Sequence, residues 1–249
     1  MLAAGETAIL VGRLAQYLDS WGESHAALSW AITIGRELSN AKLVAHALGA
    51  MSGLYSGIPR GGHSGNPAKA IEFLDAAIAA SDSSSAPMQA WLYARRAEEY
   101  ATIGRALAAR RDLDDAERYL LAIRQPADGF FSHISDRWLL GYRGNCERLL
   151  NKPMAAVHHL EQALSEKLHG QLSASSRSGV LADLAAALAQ HGEGDQAASV
   201  LIQSLDLAVS SGVSIAVQRI RGIRRRHLGC FADNPLVKQL DERLLGIQP

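Results

Sequence analysis

Apolar residues recur at helical spacing along most of the chain, interrupted by short polar breaks. From Leu181 to Ala208, Leu181, Leu184, Ala185 and Leu188 share one helical face, Gly192-Glu193-Gly194-Asp195 makes a turn, and Ala197, Leu201 and Leu205 share a second face. This predicts a helical hairpin. The same order appears as Leu140 and Gly144, then Asn151-Lys152-Pro153, then Ala156, Leu160, Ala163 and Leu164, with Pro153 suited to a first helical turn. Upstream, Tyr100, Ile103, Gly104 and Leu107 precede the polar stretch Arg110-Arg111-Asp112, which reads as a turn before Ala116, Leu120 and Ile123. Leu48, Met51 and Ser52 precede Asn66-Pro67 and then Ala70, Leu74, Ala77 and Ile78.

The marker alanines Ala70, Ala116, Ala156 and Ala197 stand 46, 40 and 41 residues apart, a period that predicts a repeat array in which no hairpin buries its face alone. A small residue on each first helix (Ser52, Gly104, Gly144, Ala185) lets the two backbones approach. A more degenerate unit comes first, with Val11, Leu14, Ala15 and Leu18 before Trp21-Gly22 and a second helix from Ala26 or Ala27 through Ile34. After Ser211-Gly212, a helix from Val213 to Leu228 and another from Asn234-Pro235 to Gly246 read as a cap. The expectation is one all-α domain over 1–249, with hairpins near 6–38, 40–81, 87–124, 135–168 and 176–210 and a capping helix pair over 213–246. Gly57 to Asn66, Ser81 to Ser85 and Gln125 to Ser132 read as loops, and the first, inserted between two helices of one repeat, is the best placed to carry function.

Composition sharpens this picture. The 42 Ala and 34 Leu, with aromatics at 6%, call for a core of small aliphatics and argue against a sandwich, a barrel or a doubly wound sheet. Equal numbers of basic and acidic residues, 25 each, argue against a dominant phosphate-binding surface. Two cysteines give no disulfide framework, and no basic leader or eighteen-residue apolar run occurs, so the expectation is a soluble, unprocessed cytoplasmic protein without a membrane span.

Three strings carry a family resemblance: Ala90-Trp91-Leu92-Tyr93-Ala94-Arg95-Arg96-Ala97 leading to Asp114-Asp115-Ala116; Gly144-Asn145-Cys146 followed by Leu150 to Leu164; and Ile220 to Arg226 before Leu240-Asp241-Glu242-Arg243-Leu244. The chain resembles the tetratricopeptide class, and more closely the C-terminal repeat region of actinobacterial helix-turn-helix regulators of the XRE type. That resemblance implies a right-handed superhelix of about five hairpins plus the cap. It also implies repeats that sense a ligand, bind a peptide or dimerise, alongside an N-terminal DNA-binding domain for which the sequence leaves no room before the first repeat. The insertion Gly57 to Asn66 departs from the family.

In such a superhelix the first helices line the concave face, at positions spaced i, i+3, i+7 and i+10. This selects His46, Gly49, Gly53 and Ser56; Glu98, Ala101, Arg105 and Ala108; Trp138, Gly141, Asn145 and Arg148; and Gly179, Ala182, Ala186 and Ala189. Among them Arg105, Asn145 and Arg148 are suited to a carboxylate or a peptide backbone, Trp138 to stacking, and His46 to a polar contact. The predicted ligand contacts are therefore His46, Arg105, Trp138, Asn145 and Arg148, set against the plainer reading of solvated groove residues with Trp138 packed between repeats.

Other motifs carry less. His158-His159 diverge by about 100° on a helix, and no His-Glu-x-x-His or Cys-x-x-Cys occurs, so neither a metal nor a cofactor is expected. Cys146 reads as a small buried hydrophobe. Gly61-Gly62-His63-Ser64-Gly65 lacks the Gly-Lys-Ser/Thr ending of a phosphate loop and fits a lid better. Arg219, Arg221, Arg224, Arg225 and Arg226 wrap a helix without aromatic interleaving, which fits a solvated cap better than direct nucleic-acid contact. The expected function is a regulatory module taking a peptide or small molecule in its groove and acting on a protein partner or a homodimer. The alternatives are an enzyme using His46 or His63 as acid or base, and a passive scaffold.

Overall fold

The computed structural model describes residues 1–57, 65–81, 86–123, 129–166 and 172–247, which form an all-α helical repeat superhelix without strands. Five hairpins follow one another: α1 (Leu2–Tyr17) with α2 (Trp21–Glu37), α3 (Ala41–Tyr55) with α4 (Pro67–Ala80), α5 (Ala86–Thr102) with α6 (Ala106–Leu121), α7 (Asp136–Leu149) with α8 (Pro153–Leu164), and α9 (Ala174–His191) with α10 (Gly194–Ser210). The cap is α11 (Ser214–His227) and α12 (Pro235–Leu245).

The repeat has a physical frame that recurs almost to the residue. A small residue on the first helix (Gly12, Ala97, Gly144, Ala185) is followed seven residues later by a residue in the left-handed region (Asp19, Gly104, Asn151, Gly192). Twelve residues after the small one comes a buried Ser24, Ala109, Ala156 or Ala197, and sixteen after it a buried Leu28, Leu113, Leu160 or Leu201. The reason is steric. A Cβ on Gly144 would lie 2.5 Å from Leu160 Cγ and 3.2 Å from the Ala156 carbonyl, and one on Gly12 would lie 2.6 Å from Leu28 Cγ and 3.3 Å from the Ser24 carbonyl. The first and fourth hairpins therefore close on the same contact. The second hairpin keeps Ser52, Ala70 and Leu74 but spends a longer connection between them; residues 58–64 of that insertion, His63 included, lie outside the described residues.

Two expectations need correction. In the third repeat the break falls at Gly104 (φ 74°), not at Arg110-Arg111-Asp112, which lies inside α6; the matching residues are Ala97 and Ala109 rather than Gly104 and Ala116. The offset is seven residues, two helical turns, which keeps the face of the helix and shifts the position along its axis. In α1 the buried face is Gly5, Ala8, Ile9, Gly12 and Ala15, whereas Val11, Leu14 and Leu18 are exposed. The stretch read as a loop around Gln125 to Ser132 also holds a 3-10 turn at Gly129–Phe131, whose Phe131 is buried.

Asn151 and Gly192 occupy the same left-handed position, at φ 58° and 97°. Asn151→Gly is expected to raise unfolding free energy by about 0.5–1 kcal/mol, and Gly192→Ala to lower it by roughly 1 kcal/mol, in urea titrations.

The odd-numbered helices form the inner layer. α5 packs on α7, α7 on α9, α9 on α11 and α1 on α3; Gly49 of α3 lets Trp91 of α5 approach within 2.4 Å of where a Cβ would stand. α1 in turn touches α11, so the N-terminal hairpin meets the cap and the inner layer closes around a central space. The apolar core divides into two clusters, one from Ala8 to Cys146 and one from Ala156 to Leu244.

Candidate functional site

The inner layer lines a cavity of about 310 Å³ that is partly open to solvent. Its lining repeats helical spacing from one inner helix to the next: Trp91, Arg95 and Glu98 on α5, and Asp183 with Gly179 on α9. Trp138, Gly141 and Tyr142 face it from α7, Gly49 and Gly53 from α3. Where the array closes, Arg13, Tyr17 and Trp21 come from the first hairpin and Ile215 and Arg219 from α11. Trp138 and Tyr142 lean together with ring centroids 4.6 Å apart, and His133 sits edge-on to Trp138.

Two glycines of this wall, Gly179 and Gly141, are less crowded than those that close the hairpins. A Cβ on Gly179 would meet nothing nearer than Arg219 Nη1 at 3.7 Å, and one on Gly141 nothing nearer than Val180 Cγ2 at 3.3 Å. Alanine is sterically admissible at Gly179 and would favour the helix by about 0.5–1 kcal/mol, whereas at Gly141 a methyl group needs Val180 to give by a few tenths of an ångström. Glycine at 179 keeps space open.

Beneath the cavity runs a chain of buried charged and polar groups that joins the two halves of the core. Asn145 Nδ2 donates to Glu98 Oε1 at 2.6 Å, and the Arg148 guanidinium donates to Asn145 Oδ1 at 3.1 and 2.6 Å. Arg148 stands 3.5 Å from Asp183, which also accepts from Arg219 at 2.5 Å, and Arg95 stands 3.4 Å from Glu98. Four helices, α5, α7, α9 and α11, are thus tied by side chains largely withdrawn from water. Burial pushes the Glu98 carboxyl up to about 7, with Asp183 adding to it and Arg95 and Asn145 opposing. Burial also pushes the Tyr142 hydroxyl up and the Cys146 thiol well up, so that thiol is an inert core group.

Trp138 lines the cavity, as its spacing predicts. Asn145 and Arg148 do not line it; they are buried behind it and hold Glu98 and Asp183, two carboxyls that do. His46 is also behind the wall, packed among Trp91, Phe130 and Phe131 at centroid distances of 5.8, 4.7 and 5.0 Å. Among the described residues its Nε2 has no hydrogen-bond partner, and burial, aided by Arg13 and Lys42, drives its pKa down to about 3. It is neutral and shielded, so it serves as neither acid nor base toward a cavity ligand. Arg105 is an exposed residue at the start of α6, away from the cavity, because the seven-residue misframing carried the spacing series past the end of α5.

The residues that sequence reasoning missed follow from the same causes. Seven residues before Glu98 stands Trp91, the true start of that series. Arg13, Tyr17 and Trp21 enter only because α1 meets α11, a contact that the repeat period does not encode. Of the arginine run in α11, Arg219 binds Asp183, Arg221 donates to the Leu244 and Ile247 carbonyls, and Arg224 makes a paired contact with Asp241 at 2.8 and 2.6 Å. Among the described residues no three His, Cys, Asp or Glu side chains are placed to hold a metal, and no helix is long and apolar enough to cross a membrane.

No protein-family model matches the chain, and no curated protein sequence matches it significantly. Among solved structures it is similar to BtubC (BKLC) from P. vanneervenii, with a TM-score of 0.54 at 17% identity, over 85% of this chain and 82% of that one. The likeness is one of fold: a helical repeat superhelix.

Proposed function

We propose that the chain is a regulatory module that binds a small molecule in the partly open cavity lined by its inner helices. The observation that carries this reading is the cavity wall itself, where the helix-interior Gly179, with room for a methyl group, stands across from three tryptophans. The cavity's volume and the contact of α1 with α11 at its side suit a compact ligand better than an extended peptide. A volume near 310 Å³ lies at the small end of the usual range of about 300–1,000 Å³ for ligand sites.

A bound molecule touching both Trp21 or Tyr17 and Ile215 ties the first hairpin to the cap, and that tie is the signal delivered to a protein partner or a second copy. This is the sensing role that resemblance to XRE-type regulators implies, in the cytoplasm.

Native mass spectrometry of the protein purified from its natural host tests the reading. A co-purifying small molecule released on denaturation, and missing from Gly179→Leu and Gly141→Val variants, is the expected result. Saturation at about 100-fold its Kd is expected to add roughly 2.7 kcal/mol to folding stability. A clean apo mass, together with unchanged binding behaviour in both filled variants, overturns it.

A further inference from the structure

The ring of charge around the cavity is unbalanced. Four guanidiniums, Arg13, Arg95, Arg148 and Arg219, stand at or just behind the wall, against two carboxyls at the wall, Glu98 and Asp183, and a third, Glu99, buried beside Arg95. Asp183 is shared by Arg148 and Arg219, and Glu98 is held by Arg95 and Asn145, so both acids are already engaged. Arg13 differs from the rest. It has no carboxylate partner among the described residues, and its guanidinium carbon stands 5.3 Å from the Phe130 ring centroid. Stacking on an aromatic face leaves the in-plane N–H donors free. Arg219 spends Nη2 on Asp183, while its Nη1 faces the space that Gly179 leaves open.

The surroundings report the same excess. His133, which also lines the cavity, has its pKa lowered by burial first and by Arg13 second. A concave site with low-dielectric walls focuses such a field and selects an anion. The remaining wall is flat and apolar: Trp91, Trp138 and Tyr142 offer ring surface for stacking.

Resting on the small-molecule reading above, we propose that the ligand is a compact monoanion with a flat unsaturated body, an aromatic carboxylate in chemical class. Its carboxylate pairs with Arg13 and its ring lies against Trp91, Trp138 and Tyr142. Binding across the α1–α11 closure then supplies the counter-charge that the cavity lacks.

Three compounds of one shape separate charge from shape: 2-naphthoate, 2-naphthamide and 2-naphthylmethylamine, titrated calorimetrically into the full chain. Naphthoate is expected to bind about tenfold or more tightly than the amide, and the amine to give no saturable heat. In Arg13→Gln the naphthoate advantage over the amide is expected to collapse toward unity, while Arg13→Lys keeps most of it. Thermal melting confirms that each variant is folded, and Arg13, half-exposed on α1, is a mild site for both changes. An amide that binds as well as naphthoate, or a charge preference unchanged in Arg13→Gln, overturns the assignment, as does the absence of saturable heat with all three. The small-molecule reading fails separately, through a clean apo mass from the natural host, and survives if that mass reveals a neutral or cationic ligand.

Discussion

Replacing Asp183 by Asn is expected to lower unfolding free energy by about 3–5 kcal/mol, the range for removing one member of a buried ion pair. Asp183 is the only carboxylate shared by Arg148 and Arg219 among the described residues, and the three side chains are 7%, 9% and 18% exposed. The substitution keeps the shape and removes the charge, leaving two guanidiniums facing each other across a medium that screens them poorly. Urea denaturation followed by circular dichroism measures the loss, and a change under 1 kcal/mol would show that water reaches the triad. The double variant Asp183→Asn with Arg219→Gln is expected to recover part of the loss, because one of the uncompensated charges is gone. The same change makes the cavity more positive, so per folded molecule the affinity for naphthoate is expected to rise. Stability and ligand preference move in opposite directions through one residue, an outcome that a purely structural triad would not give.

How far the sequence foretells this architecture depends on which interactions are local. Hairpins four and five are legible because each contains its own rule: a small residue, a left-handed turn residue seven later, and an alanine and leucine at twelve and sixteen. Gly144, Asn151, Ala156 and Leu160 are all visible in a single stretch, with Pro153 marking the start of α8. The third hairpin misleads because Arg110-Arg111-Asp112 has turn-like polarity while being the outer face of a helix, and Gly104 can be mistaken for a packing glycine when it is a turn glycine at φ 74°. In α1 the exposed Val11, Leu14 and Leu18 outweigh the buried Gly5, Gly12 and Ala15 by hydrophobicity, so periodicity points to the wrong face. Small residues carry weak hydrophobic signal although they set the closest approaches.

The site is less legible than the fold for a related reason. Trp138 falls on the right spacing within its own helix and needs no other information. The roles of Asn145 and Arg148 are settled by Glu98 and Asp183, which lie 47 residues before Asn145 and 35 after Arg148. A polar residue on an inner helix can face the cavity or sit one position round, behind it, and the difference of about 100° is smaller than the uncertainty of an unaligned period. Arg13 and Trp21 belong to the site only because the array turns far enough for α1 to reach α11. That curvature is a sum over every hairpin interface and is written in no single one of them.

His46 gives the second large effect, and it appears only in acid. An ordinary histidine in the unfolded chain has a pKa near 6.5, whereas in the fold burial among Trp91, Phe130 and Phe131 lowers it to about 3. The folded state therefore binds the fewer protons between these values, so the stability His46 contributes is present above pH 6.5 and is lost as pH falls toward 3. At pH 4 that loss amounts to about 3 kcal/mol relative to pH 7. His227, lowered to about 4 by burial and then by Arg148 and Arg226, adds a smaller loss of the same sign. Glu98 works against both: its raised value of about 7 makes its contribution largest below pH 4.5 and removes it as pH rises through 7. The net curve of the natural protein is thus a difference of opposing slopes, and His46 is best isolated by comparison. His46→Leu fills the apolar pocket and removes a buried nitrogen without a partner among the described residues, so at pH 7 it is expected to be neutral or mildly stabilising. Between pH 7 and pH 4 the variant is expected to gain about 3 kcal/mol over the parent in urea-derived unfolding free energies. Parallel pH curves for the two proteins would mean that His46 already shares a proton or a water in the fold, and would open the aromatic wall between it and the cavity to solvent.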